Sequence, residues 1–377
     1  SDTRGNSQSM GVNYQKTGKE LILKDVIADI PALQKLVKEK LLEDYGEDQL
    51  GLVEDLDEAM SEYLTGEKDQ TCAWFITARG VRITFGVYVL ASYAAGDQTV
   101  DVYYDDAPEL FTDIFKVQTG DYIESYSYNG SYKLDIGANG TSDDVSIEPQ
   151  YNEYSDIESV DIGVNGVKTS LDVYGYDLTP IFIHKGDNTF LYLEMTSDND
   201  YKITYAFRIE EGGVVKIGEY SGYLTGNIPM NYQEGEWSSY RSALLTTPED
   251  LYFGTRMQIL STYEGIAKAV INDKGEMELP DNYYSSEIYD GFGELTAKKD
   301  VKASVIDKET REIITEDSLI KTGAVVKIIG TNGEDIVDLE DMSDGTVYRV
   351  NVKSDDWPQT IDGTDIEELF DGVMFAG

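Results

Sequence analysis

Val81, Ile83 and Phe85 alternate with Arg82 and Thr84, the period-two pattern of a half-buried strand. Residues 74–77 predict a strand just before it, and Ala78-Arg79-Gly80 the tight turn between them, with Gly80 free to take a positive φ. From Ile83 to Gly96 the chain carries no charge, yet the run is shorter than the roughly 20 residues of a membrane span and reads as core. Beyond Gly96, Val100, Val102 and Tyr104 alternate with Asp101 and Tyr103 as a third strand. Upstream the period changes. Leu33, Val37 and Leu41 mark a helix capped by Asp29, with Pro31 in its first turn and Gly46 at its end. Leu52, Leu56, Met60 and Leu64 mark a second, which stops at Gly66. Residues 21–23 read as a short strand, and 106–109 as the start of a short helix bearing Leu110, Phe111, Ile114 and Phe115. Residues 19–118 therefore predict an α+β domain, helices on an antiparallel sheet, after a disordered linker at 1–18.

From 119 to 293 the pattern is all-β and rich in Tyr, Gly, Asn and Asp. An internal repeat places Asp135-Ile-Gly-Ala-Asn-Gly140 against Asp161-Ile-Gly-Val-Asn-Gly166, with Asn139 and Asn165 at hairpin-turn positions. Further strands are predicted at 180–184, 190–194, 201–209 and 214–220, with turns at 186–188, 197–200 and 211–213. A sandwich or a propeller-like array follows from that spacing. Residues 246–267 read as a helical or irregular interruption, because Pro248-Glu249-Asp250 resembles a helix start. Residues 294–377 predict a small barrel with strands at 319–329, 336–339 and 346–352, turns at Asn332-Gly333 and Asp344-Gly345, and Trp357 and Phe370 capping its core.

A chain of 377 residues holds two or three domains. Its formal net charge of −42 repels nucleic acid and anionic lipid, and it suits cationic partners or cations. A monomer is expected. The single cysteine, Cys72, excludes an internal disulfide and reads as a buried, inert thiol beside Trp74 and Phe75. The start at Ser1 reads as a mature form from which any export signal and anchor were removed.

Phe85, Tyr88, Leu90, Ala91, Tyr93, Ala94, Ala95 and Gly96, followed by Val100, Val102 and Tyr104, resemble a bacterial extracytoplasmic domain. That domain forms the outer part of lysozyme-sensing anti-sigma factors in Gram-positive bacteria. It also occurs beside surface polysaccharide deacetylase modules and in lipoproteins of unknown function. The resemblance implies an extracellular, cell-surface-anchored protein and a cationic protein partner such as a lysozyme, or a cell-wall glycan. Residues 294–377 more loosely resemble the SH3-like barrels of bacterial wall proteins.

Chemistry is sparse. His184, the only histidine, lies in an apolar run and reads as structural. No nucleophile elbow surrounds a serine, one His and one Cys are too few for a zinc hydrolase, and no phosphate-binding glycine loop occurs. Hard oxygen ligands gather at Asp143 and Asp144 and at Asp198 and Asp200, so calcium is the one cofactor the loops suggest, without EF-hand spacing. Candidate ligand-binding residues are Tyr88, Tyr93 and Tyr103 in the first domain and Tyr122 and Tyr126 beyond it. The expected function is non-enzymatic binding at the cell surface. The rivals are a carbohydrate-active hydrolase using two carboxylates and a structural wall-associated spacer.

Overall fold

The structure, a computed structural model, describes residues 13–375 except 16, 50–51, 54, 93–94, 126–129, 211, 227–244, 246 and 288–293. The chain divides into two compact units, one of residues 1–120 with 132–144, the other of 121–131 with 145–377. Strands far outweigh helices, 51% against 12%, so the fold rests on sheets.

In the first unit β1 (Ala73–Ile76), β2 (Gly80–Phe85) and β3 (Gln98–Tyr103) form an antiparallel sheet in that order. Val81, Ile83 and Phe85 enter a core built with Leu33, Val37 and Leu41 of α1 (Ile30–Gln49) and with Leu56 and Met60 of α2 (Leu56–Tyr63). Asp29 caps α1 by accepting from the Ala32 amide, and Asp55 caps α2 by accepting from the Glu58 amide. Helix α1 runs past Gly46 to Gln49, because one glycine costs a helix only about 1 kcal/mol. The short helix after Asp106 is a single 3-10 turn, Pro108–Leu110; of the strand expected at 21–23 the structure pairs Glu20–Leu21, and Leu23 begins a helical turn, Leu23–Val26.

Two details of the sheet differ from expectation. Gly80 does not have positive φ; a β-carbon there would sit 2.0 Å from the Val102 carbonyl oxygen, so the glycine serves close strand approach. Every residue of β2 is buried, on both faces. The polar face survives burial because Arg82 Nε and Nη2 donate to the Asp101 carboxylate at 2.8 and 2.9 Å.

In the second unit β4 (Tyr122–Ser125), β8 (Asp177–Lys185), β9 (Asn188–Thr196), β10 (Lys202–Glu210) and β11 (Gly213–Tyr220) make a five-stranded antiparallel sheet. Its order is β11-β10-β9-β8-β4. Preceding β8 in the chain are β5 (Asp143–Tyr151), β6 (Ile157–Val164) and β7 (Val167–Gly175), which pair in sequence. Asn165 and Gly166, at φ of 48° and 82°, make the two-residue turn that the repeat predicts between β6 and β7. The other copy differs: Asp135 accepts from the amides of Asn139 and Gly140 and closes a wider loop.

Residues 246–267 are not an interruption. After a 3-10 turn at Pro248–Asp250 they form β12 (Leu251–Ile259) and part of β13 (Ser261–Ile271), a long hairpin with alternate residues buried. Leu251, Phe253, Ala269 and Ile271 of this hairpin pack against Ile181, Ile183, Phe190 and Tyr192 of the five-stranded sheet, so two sheets meet face to face. The hairpin belongs to a fourteen-stranded sheet that continues into the C-terminal strands, and no closed barrel forms among the described residues. Met257, Ile259 and Tyr263 share one core with Leu339, Val350 and Phe370. Phe370 is buried as expected, but Trp357 is 66% exposed and meets Phe375 edge-on rather than capping a core.

Candidate ligand-binding surface

The tyrosines that face solvent together lie at one end of the five-stranded sheet. Gly175 ends β7, and Tyr174 and Tyr176 flank it on the same side of the backbone, 46% and 44% exposed. The glycine is required. A β-carbon at Gly175 would lie 2.7 Å from the Thr196 carbonyl oxygen, and that same oxygen accepts from the Tyr176 amide at 2.7 Å. The backbone is thereby pressed against β9 while both rings turn outward. Their centroids are 5.9 Å apart in an edge-on arrangement.

Tyr176 donates its hydroxyl to Asp198, and that hydrogen bond pushes the phenol well above its usual pKa. Asp198 opens the β9–β10 turn, where Asn199 and Asp200 take φ of 56° and 60° and the Tyr201 amide returns to the Asp198 carbonyl at 3.2 Å. Asn and Asp tolerate this left-handed geometry better than other side chains, which is why the turn is written with them. Arg256 of β12 then reaches the turn: its Nη1 donates to the Asn199 carbonyl at 2.9 Å, and its guanidinium lies 4.4 Å from the Tyr201 ring centroid. Gln258 Nε2 donates to the Tyr201 hydroxyl at 2.6 Å. Three rings, a carboxylate, a guanidinium and an amide thus form one connected patch, in which Tyr174, Tyr176, Asp198 and Gln258 are exposed and Tyr201 and Arg256 half-buried.

From the sequence Asp198 and Asp200, like Asp143 and Asp144, are candidate metal ligands in loops. In the structure Asp198 accepts from Tyr176, and Asp200 pairs with Lys202 at 3.4 Å. Asp143 accepts from the Ile136 amide, and Asp144 pairs with Lys133 at 3.3 Å. Among the described residues no three His, Cys, Asp or Glu side chains converge on a metal position. Of the tyrosines singled out, Tyr88 is 66% exposed on the turn after β2, at φ 68°. Tyr103 is only 5% exposed, packed beneath Lys40, and Tyr122 is 4% exposed, stacked on His184. Strand alternation suggests a solvent face for Tyr103, but that face of the sheet is covered. Tyr93 and Tyr126 lie outside the described residues. Tyr174, Tyr176, Tyr201, Arg256 and Gln258 were not singled out; the Tyr-Gly-Tyr triplet was the available signal.

The buried charges serve the fold. Arg79, 2% exposed, is held by Asp105 and lies 3.7 Å from Asp135. Burial opposes ionisation of Asp105, yet Arg79 and the Ser142 hydroxyl hold its carboxyl below the usual range. Arg349 donates to Asp338 at 2.7 and 2.8 Å, and the Tyr283 hydroxyl donates to the same carboxylate. His184 has Thr189 Oγ1 3.1 Å from Nδ1 and Glu124 Oε1 3.3 Å from Nε2, all within the sheet. Burial pushes the Cys72 thiol up to about 12, so it stays protonated at neutral pH. A cleft of about 350 Å³ between α1 and α2 presents two carboxylates. Each has a lysine: Glu39 lies 3.8 Å from Lys35, and Asp57 2.8 Å from Lys38.

Residues 19–105 match the family model described as "Protein of unknown function (DUF3298)", which supports the N-terminal domain of unknown function. Neither a curated protein nor a solved structure matches the chain. Among the described residues no helix is long and apolar enough to cross a membrane.

Proposed function

We propose that this chain is a non-catalytic binding protein of the bacterial cell surface, acting outside the cytoplasm through the Tyr174–Tyr176–Asp198–Arg256 patch. The observation that carries the reading is that patch: two exposed rings fixed at their hydroxyl ends and set among planar polar groups. Tyrosine contributes large contact area at low ordering cost, which suits it to recognition surfaces. The non-catalytic reading is supported by pairing: Arg82 with Asp101, His184 with Glu124 and Arg349 with Asp338 are matched within the sheets, and the carboxylates of the helical cleft lie beside lysines. The surface location rests on the likeness of residues 19–118 to the extracytoplasmic domain of lysozyme-sensing regulators. An SH3-like reading of residues 294–377 belongs to the same picture, as a second wall-associated module.

Co-sedimentation with purified bacterial cell walls tests the proposal. The wild-type chain is expected to pellet with the walls, and Tyr174→Ala/Tyr176→Ala to remain largely in solution while keeping its circular dichroism spectrum. Equal pelleting of the two, or no pelleting of either, overturns it.

A further inference from the structure

Resting on the binding reading above, the structure assigns a ligand class to the patch: we infer that it takes a neutral oligosaccharide, and takes it without a metal. Charge is the first discriminator. Asp198 and Asp200 share the patch with Lys202 and Arg256, a locally balanced set in a chain of net charge −42, so an anionic polymer is repelled at long range and finds no surplus of positive charge at contact. Placement of the positive charge is the second. Arg256 lies against Tyr201 and the Asn199 carbonyl, one residue along the chain from Asp198, so a cation docking beside the turn meets a fixed guanidinium. Asp200 is already paired with Lys202. A cationic protein finds few unmatched carboxylates among these rings.

A neutral sugar fits what remains. Its C–H faces are apolar and match tyrosine rings; its adjacent hydroxyls both donate and accept. Asp198 offers a planar acceptor pair, of which Tyr176 uses one oxygen, Oδ1. A carboxylate has roughly four lone-pair sites, and a guanidinium five N–H donors, so both retain capacity for hydroxyls. Arg256 commits Nη1 to Asn199 and holds its plane against Tyr201, which fixes the direction of its other donors. Sugar hydroxyls bridged between Asp198 and Arg256, with a pyranose face on one of the two edge-on rings, Tyr174 or Tyr176, and the other ring at its side, require no calcium.

Titration calorimetry on the full chain tests this against three probes: a panel of neutral oligosaccharides (β-1,4-linked N-acetylglucosamine, glucose and mannose chains), oligogalacturonate as the acidic sugar, and a cationic lysozyme. Each is run at about 0.15 and 0.5 M salt, with and without EDTA. The expected result is binding of a neutral sugar, changed less than twofold by salt or EDTA. Tyr174→Ala/Tyr176→Ala and Arg256→Gln should each weaken it at least tenfold. Patch-dependent binding of oligogalacturonate or lysozyme instead overturns the neutral-sugar inference and leaves the binding function standing. EDTA-sensitive sugar binding overturns the metal-free part. Binding of no probe, or binding that the tyrosine variant leaves intact, overturns the inference, and failure of wall co-sedimentation separately removes the broader reading.

Discussion

Arg82 and Asp101 are directly opposed on β2 and β3, joined by two hydrogen bonds of 2.8 and 2.9 Å, with side chains 6% and 7% exposed. Asp101→Asn keeps the shape and removes the charge, leaving a guanidinium buried without its counterion. Two unit charges about 4 Å apart attract by about 4 kcal/mol at an effective dielectric near 20. Removing one partner of a buried pair costs about 3–5 kcal/mol in measured cases. The two figures agree, and against a domain stability of about 5–15 kcal/mol the loss is large. Arg82→Met with Asp101→Leu removes both charges and their desolvation cost together, so the double variant should lie within about 1 kcal/mol of wild type. Urea unfolding followed by tryptophan fluorescence and circular dichroism measures both, provided the m-value is unchanged. A cost below about 1 kcal/mol for Asp101→Asn, or a double variant as unstable as the single, would refute the reasoning.

Three further outcomes are expected. Gly96 has φ of 68°, and a β-carbon added there would meet no atom within 4 Å, so Gly96→Val should cost about 1–3 kcal/mol through backbone strain alone; an unchanged melting curve counts against this. Cys72, whose thiol burial pushes up to about 12, should react with a disulfide reagent only on unfolding, and fast labelling of the native chain would contradict its burial. Burial raises the Glu194 carboxyl from 4.5 to about 7. Because the folded state holds that proton more tightly, its stabilising effect is full below about pH 4.5 and is lost as pH rises through about 7. Glu194→Gln should remove a fall of up to roughly 3 kcal/mol across that window, and an identical pH profile in the variant would show that Glu194 is not the group responsible.

The sequence pattern made the first sheet legible because strict alternation at Val81–Phe85 and Val100–Tyr104 has no helical counterpart. It could not show that Arg79, in an apparent turn, is among the most buried side chains, since its partners Asp105 and Asp135 come from distant parts of the chain. Residues 251–271 escape the pattern because a proline-acid start signals a helix, while here it makes only one 3-10 turn before a long hairpin. The turn at 197–200 was readable from its Asn and Asp residues, and the cluster of tyrosines beside it was not. Alternation tells which tyrosines share a face, and only the packing of Gly175 on Thr196 decides that Tyr174 and Tyr176 face water.

Hydrogen exchange on the full chain, with and without a soluble neutral-glycan fraction of bacterial cell wall, tests the binding surface most directly. Protection should appear at Tyr174–Asp177, at Ser197–Tyr201 and around Arg256, with the glycan recovered at unchanged length. Protection confined to the turn at Tyr88 or the α1–α2 cleft, shortening of the glycan, or no protection at all would contradict a non-catalytic site built on Tyr174, Tyr176, Asp198 and Arg256.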